Sequence, residues 1–396
     1  MKKNLFLLAL CQGLFLTNNI AFIAINGLVG FSLAPFSWLA TLPVTGYVVG
    51  SAVSSIPAAR IQRLYGRQFS FLLGIAFAVA SALLCLYAAI SRNFFLLVLA
   101  TFIAGFYQAN AQLYRFAAAE LASSDYKERA VSWVLAGGLI GAVLGPNLVV
   151  LSKDMFDVEF AGAYLVLSVV GLIAAGLMSR IRFAAPAAKN AVVEGPPARP
   201  LIDIIRQPVF LLSMLAASLG YGVMNLLMAA TPLAMKTCGF PFKDAAWVLE
   251  WHVIGMFAPG FFTGNLIKRY GTLRIISVGV VLNFVCIAVA LSGVEFAQFF
   301  IALFLLGVGW NFMFTGSTVM ALGAYHPSER DKAQAAINFA VFFMMALSSF
   351  SSGALVTTSG WELLNYLSLI PMVAVSVALV WYGILMRFKR SSGAIA

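Results

Sequence analysis

The sequence predicts an all-α membrane protein of twelve transmembrane helices, arranged as two pseudo-symmetric halves of six. Three observations lead there. Of the 396 residues, 62% are hydrophobic and 10% charged, with a mean hydropathy of +0.96; a soluble domain is about half apolar and about a quarter charged. The apolar residues gather into runs of about 20, the length a helix needs to cross a bilayer. Short sequence signatures then recur once, half a chain apart. The 34 Phe and 33 Gly fit the same reading, since Phe faces lipid readily and Gly lets helices approach closely.

The spans fall at roughly 5–27, 36–57, 69–91, 94–117, 130–151, 160–181, 208–232, 245–267, 272–293, 296–321, 333–356 and 362–386. The first follows Lys2 and Lys3 as a signal peptide would, but no A-x-A cleavage site comes after it, so it is expected to remain as a helix. A short connection makes the first two spans a hairpin. Span five carries Gly137, Gly141, Gly145 and Pro146, a pattern of close packing with a kink. Between spans six and seven, residues 183–207 hold Pro186, Pro196, Pro197 and Pro200 among Lys189, Glu194, Arg199 and Asp203. This polar linker divides a bundle over 1–182 from a second bundle over 208–396. With both termini in the cytoplasm, only Arg92, Lys153, Lys236 and Lys243 of the 25 Lys and Arg fall outside, the asymmetry of the positive-inside rule.

Composition also excludes. Cys11, Cys85, Cys238 and Cys286 show no C-x-x-C spacing, so neither a disulfide framework nor a zinc ribbon is expected. The pI of about 9.6 does not point to nucleic acid, because no soluble stretch is large enough to present a basic face. No nucleophile with a base and an orienting group appears, nor a phosphate loop, so the chain is not read as an enzyme and no enzymatic cofactor is expected.

The repeat is specific. Arg63, Gly66 and Arg67 after span two answer Lys268, Arg269 and Gly271 after span eight. Lys127, Glu128 and Arg129 after span four answer Arg330, Asp331 and Lys332 after span ten, and Tyr107 and Gln108 answer Trp310 and Asn311. The offset is about 203 to 205 residues each time, as a duplicated six-helix unit requires.

These signatures resemble the major facilitator superfamily over essentially the whole chain. Its loop signature between helices two and three is G-x-x-x-D-R-x-G-R. The chain keeps Gly66 and Arg67, and in the second half Gly264, Arg269 and Gly271, but carries Arg63 and Lys268 at the acidic position. The resemblance implies alternating access around a central cavity, lined from spans one, four and ten. Asn18, Asn19, Tyr107, Gln108, Trp310 and Asn311 are the expected lining. Arg63 and Lys268, with Glu250 near the outer mouth of span eight, are the residues placed at gating or coupling; Glu250 is equally readable as a solvated helix-end residue.

Spans seven and eight carry the chemistry. Met224 and Met228 are four residues apart, as are His252 and Met256, so each pair shares a helical face at roughly 6 Å between Cβ atoms. Three thioethers and an imidazole form a soft, neutral donor set of the kind that selects Cu(I). The bland alternatives are methionine as core filler and a neutral imidazole bonded to a neighbouring helix, although an ionisable residue in a span is a functional candidate by default. The two motifs together resemble the CcoA-type copper importers of bacteria, the CalT family. That resemblance implies Met224, Met228, His252 and Met256 as copper ligands, copper as cargo, and a role in supplying the assembly of a cbb3-type cytochrome oxidase. It also implies an inner-membrane location with the copper ion, the bilayer and a periplasmic or cytoplasmic copper chaperone as partners. Met235 and Cys238 are the expected relay for incoming metal, Cys238 being equally readable as inert. A close branch of that family is associated with riboflavin, so a carrier of riboflavin or a drug-like solute stands as the alternative. A non-transporting copper sensor or chaperone is a third reading.

Overall fold

The computed structural model describes residues 2–123, 130, 133–134, 136–183 and 199–391; among these there is helix and no strand. The first half consists of α1 (Lys2–Leu33), α2 (Leu42–Tyr65), α3 (Arg67–Ile90), α4 (Phe94–Ala111) with its continuation α5 (Tyr114–Leu121), α6 (Gly138–Ser152) and α7 (Ala161–Met178). A short helix, α8 (Leu201–Ile205), leads into the second half. That half comprises α9 (Pro208–Thr237), α10 (Phe242–Phe257), α11 (Gly260–Tyr270), α12 (Thr272–Leu291), α13 (Phe296–Leu322), α14 (Arg330–Thr358) and α15 (Gly360–Ser391). Among the described residues ten helices are long and apolar enough to cross a membrane, and α6 is a shorter apolar one. With α10 and α11 as one interrupted crossing, the chain makes the twelve passes expected. The linker segment 184–198, with Pro186, Lys189, Glu194, Pro196 and Pro197, and the loop with Lys127, Glu128 and Arg129 lie outside the described residues, as does the side chain of Arg63.

Three boundaries differ from expectation. Span one runs on to Leu33, and span seven to Thr237, so Met235 lies within a helix and not beside a loop. Span eight, expected as one stretch over 245–267, breaks between Phe257 and Gly260. Pro259 explains the break: it has no N–H to donate, and its ring collides with the carbonyl four residues earlier.

The duplication extends to packing. In the first half α2 and α3 pack on α4, α1 on α6, and α3 on α7; in the second α10 and α12 pack on α13, α9 on α14, and α12 on α15. The helix ends before Arg67 and Thr272 are set alike by Gly66 at φ 87° and Gly271 at φ 86°, a left-handed backbone that only glycine adopts without strain. Close crossings repeat too. Gly105 of α4 lies on α2, where an added Cβ would meet Gly50 Cα at 2.7 Å, and Gly307 of α13 lies on α10, where one would meet Met256 N at 3.0 Å. On α6, Gly137 abuts Ala9 and Gly141 abuts Thr17 N at 2.6 Å from the position of a Cβ; the span-five glycines are contact points for α1. Overpacking usually costs about 1–3 kcal/mol, and at Gly105 the obstacle is backbone that cannot swing aside. Gly105→Val is therefore expected to leave little or no monodisperse protein on size-exclusion chromatography, whereas Gly176→Val, which meets nothing within 4 Å, should elute as wild type.

The halves meet at the end of the bundle opposite the termini, called distal below. Thr41 Oγ1 donates to the carbonyl of Ser349 at 2.6 Å and accepts from the amide of Gly353 at 3.0 Å. Trp38 meets Phe350 edge-on at 6.0 Å, and Phe160 meets Phe242 at 5.1 Å. Asn147 of α6 donates to Glu250 of α10 at 2.8 Å. Towards the membrane centre, Val48 of α2 joins Ala217, Val341 and Met345 in one apolar cluster.

Candidate functional site

The four predicted donors are all inside the protein. Met224 is 1% exposed, Met228 8%, His252 0% and Met256 6%; none faces lipid. His252 and Met256 are fixed on α13. Nδ1 of His252 lies 2.7 Å from the carbonyl of Leu303. A carbonyl only accepts, so Nδ1 carries the proton, and in the neutral ring Nε2 keeps its lone pair. That Nε2 is buried and has no hydrogen-bond partner. The carbonyl of Met256 accepts from Asn311 Nδ2 at 2.7 Å. On α9, Gly220 faces Met313 of α13, and Met224 and Met228 follow one and two turns later on that face. The internal repeat adds a pairing: a shift of 205 residues carries Asn19 and Tyr47 onto Met224 and His252. In the first half the hydroxyl of Tyr47 donates to Asn19 Oδ1 at 2.8 Å. Among the described residues no three His, Cys, Asp or Glu side chains gather as a metal site, so a metal here would depend on thioethers.

Cys238 and Met235 do not share a surface. Met235 is fully buried, while Cys238 is exposed at the end of α9. It opens onto a cleft of about 510 Å³ walled by Ala290, Val356, Trp361 and Glu362, from α9, α12, α14 and α15. Desolvation raises the thiol above its ordinary pKa, away from the thiolate that binds metal. Glu250 is half-buried and bonded to Asn147 across the seam. Lys268 is exposed in the last turn of α11.

The polar residues expected to line the cavity sort into two groups. Gln108 accepts from Ser51 and Asn311 Oδ1 accepts from Thr263 at 2.7 Å; each ties span four or ten to span two or eight, and the two acceptors are repeat counterparts. Asn18 is buried with its amide on the Leu14 carbonyl at 3.5 Å, and Asn19 holds Tyr47. Tyr107 packs edge-on against Phe15 at 5.3 Å. Trp310, the repeat counterpart of Tyr107, sits in a box of aromatic rings: Phe314 stacks on it at 5.1 Å and 9°, Tyr221 meets it at 5.2 Å and 88°, and Phe257 at 6.2 Å and 68°. Tyr221 was not among the predicted residues. Its signal was weak, a single tyrosine in an apolar helix. Tyr221 and Phe314 both pack on the Val48 cluster at the seam.

This arrangement is two duplicated bundles with aromatic and polar groups at their junction. The profile of the Major Facilitator Superfamily matches residues 5–287 and 223–393. The chain belongs to that superfamily. Like other major facilitators it is a transporter and not an enzyme. It is 38% identical to the riboflavin transporter RfnT of Brucella anthropi over 99% of this chain and 98% of that protein. It is 26% identical to the uncharacterized MFS-type transporter YddS of Bacillus subtilis, over 87% and 82%. Among solved structures, a mutant of the nucleoside transporter NupG aligns with TM-score 0.72 at 14% identity over 95% of this chain and 99% of that one. An auto-inhibited POT family peptide transporter aligns with TM-score 0.68 at 12% identity over 97% and 96%. These two likenesses concern the fold.

Proposed function

We propose that this major facilitator carries riboflavin, or a flavin close to it, by alternating access. The observation that carries the reading is near full-length identity of 38% with a protein named a riboflavin transporter; the aromatic box at Trp310 supports it, since a planar heterocycle binds by ring contact. In this reading the distal seam, closed here, is the outer gate, with both termini cytoplasmic in the inner membrane as the charge asymmetry suggests. The carrier would then open Thr41 from Gly353 and Asn147 from Glu250 to admit cargo.

A second reading, Cu(I) import, is favoured by one observation: the buried, unpartnered Nε2 of His252. In it Met224, Met228, His252 and Met256 hold the cation as cargo, which gains about 2.3 kcal/mol per 100 mV on entering and passes to a chaperone for oxidase assembly. The same test bears on the non-transporting copper sensor. Proteoliposomes should take up labelled riboflavin saturably, with no inhibition by Cu(I), and His252→Ala should lower that uptake no more than a few-fold. Copper flux that collapses in Met228→Ala and His252→Ala, with no riboflavin flux in wild type, would overturn the flavin reading; metal bound without any flux would favour the sensor.

A further inference from the structure

Two tryptophans are buried in the described chain, and they differ in one respect. Trp361 is 8% exposed, and its indole N–H donates to the carbonyl of Ala290 at 3.2 Å. Trp310 is 7% exposed, and its N–H has no acceptor. The other five are at least one-third exposed and can reach water or headgroups. A buried indole N–H normally finds a partner, so the unpartnered N–H of Trp310 calls for one.

The ring of Trp310 is not free to turn in search of one. Phe314 covers it in parallel, while Tyr221 and Phe257 stand edge-on to it. Three helices, α9, α10 and α13, thus fix the direction of the N–H. Two members of the box, Tyr221 and Phe314, also pack on the cluster containing Val48 of the other half, so the N–H lies beside the junction of the two halves. An indole N–H donates and never accepts. Its missing partner is an acceptor atom, and a bare cation cannot supply one.

We propose that Trp310 is a specificity-determining residue whose indole N–H donates to a ring carbonyl of a planar heterocyclic cargo. The proposal rests on the flavin reading and sharpens it: the recognised group is a carbonyl oxygen on the ring edge, and the box supplies the apolar frame that orients the donor. It is independent of the methionines and of His252.

The test uses the full-length protein in nanodiscs and riboflavin's own fluorescence to follow binding. Trp310→Phe keeps an aromatic ring to stack on Phe314 but removes the N–H together with one ring of the indole, so its affinity is read alongside the analogue series below. Binding of riboflavin should weaken roughly three- to tenfold, the effect of one lost hydrogen bond. Analogues in which a ring carbonyl oxygen is replaced by sulfur, a poor acceptor, give a second measurement on the unaltered protein. Wild type should bind the 2-thio or the 4-thio analogue several-fold less tightly than riboflavin, and Trp310→Phe should lose that preference. If wild type binds riboflavin and both thio analogues alike, or if Trp310→Phe keeps both affinity and preference, the proposal is overturned while the flavin reading stands. Absence of riboflavin binding by wild type overturns both.

Discussion

Gly353→Val is expected to abolish transport while leaving a folded, membrane-inserted protein. A Cβ at Gly353 would lie 2.8 Å from both the backbone N and Cγ2 of Thr41, and closer still to its hydroxyl. Thr41 is fully buried, and its hydroxyl is engaged from both sides by α14. No flexible tip is available to yield, so the branched side chain must separate the halves at the distal end. The packing within each half does not involve this contact. The variant should therefore populate the distally open state, and a carrier held in one state does not turn over. Uptake should fall by at least about tenfold, corresponding to roughly 1.4 kcal/mol of bias between the states. A cysteine introduced as Ser349→Cys, a position buried beside Thr41 in the closed seam, should react faster with an impermeant maleimide in the Gly353→Val protein, in a Cys238→Ser background. Equal labelling and unimpaired uptake would show that this contact does not govern closure.

Glu329→Ala is expected to lower stability in a way that depends on pH. Glu329 is 0% exposed, yet its carboxylate is surrounded by donors: Arg199 N at 2.9 Å, Arg199 Nε at 2.6 Å, Arg199 Nη2 at 2.7 Å and the amide of His326 at 3.0 Å. Arg199 Nη2 also reaches the carbonyl of Ala324, and Lys332 donates to the carbonyl of Arg199. This cluster pins the chain entering α8, whose Ile204 is buried with Phe210, Ala324 and Ala333. The Arg199 guanidinium, first, and the two amides hold the Glu329 carboxyl well below its ordinary value of 4.5. A depressed acid contributes stability above its unfolded pKa and loses it as the pH falls through the folded one. The contribution is thus complete at pH 7 and begins to fade below about pH 4.5. Removing the carboxylate takes the shared acceptor from Arg199, whose side chain is 38% exposed, and from the His326 amide, and it releases the segment entering α8, so the melting temperature in detergent should drop by several degrees at pH 7. The gap from wild type should narrow steadily as the buffer is taken towards pH 3. A gap independent of pH would mean that lost packing, and not the carboxylate, is responsible.

Much of this architecture was readable beforehand because membrane spans obey one constraint: in lipid, backbone groups must be satisfied within the helix. The twelve passes and the 205-residue repeat follow from apolar run length and from Gly66 and Gly271. The burial of His252 was legible for a related reason, since an imidazole does not face hydrocarbon. The break at Pro259 was visible as a residue but not as an interruption, because prolines also occur inside continuous spans here, at Pro57, Pro146, Pro232 and Pro371. What the chain concealed is whatever depends on a partner far away in sequence. Thr41 meets Gly353 across more than 300 positions, and nothing local marks either residue. Tyr221 belongs to its box only because α9 and α13 cross there. Met235 and Cys238, expected as a relay, sit in different surroundings, one inside the bundle and the other exposed at the end of α9, a difference that three positions of spacing do not announce.

The twin glycine crossings, Gly105 on Gly50 and Gly307 on Gly255, have a mechanical corollary. Welded backbone to backbone, each bundle behaves as a stiff plate, so strain cannot dissipate by internal slippage. The turnover stroke must then be a tilt of one plate against the other, resisted by a few polar fastenings and some ring contacts at a single rim. Speed in such a machine is tuned at the rim, and its interior can remain unchanged while the pace of cycling evolves.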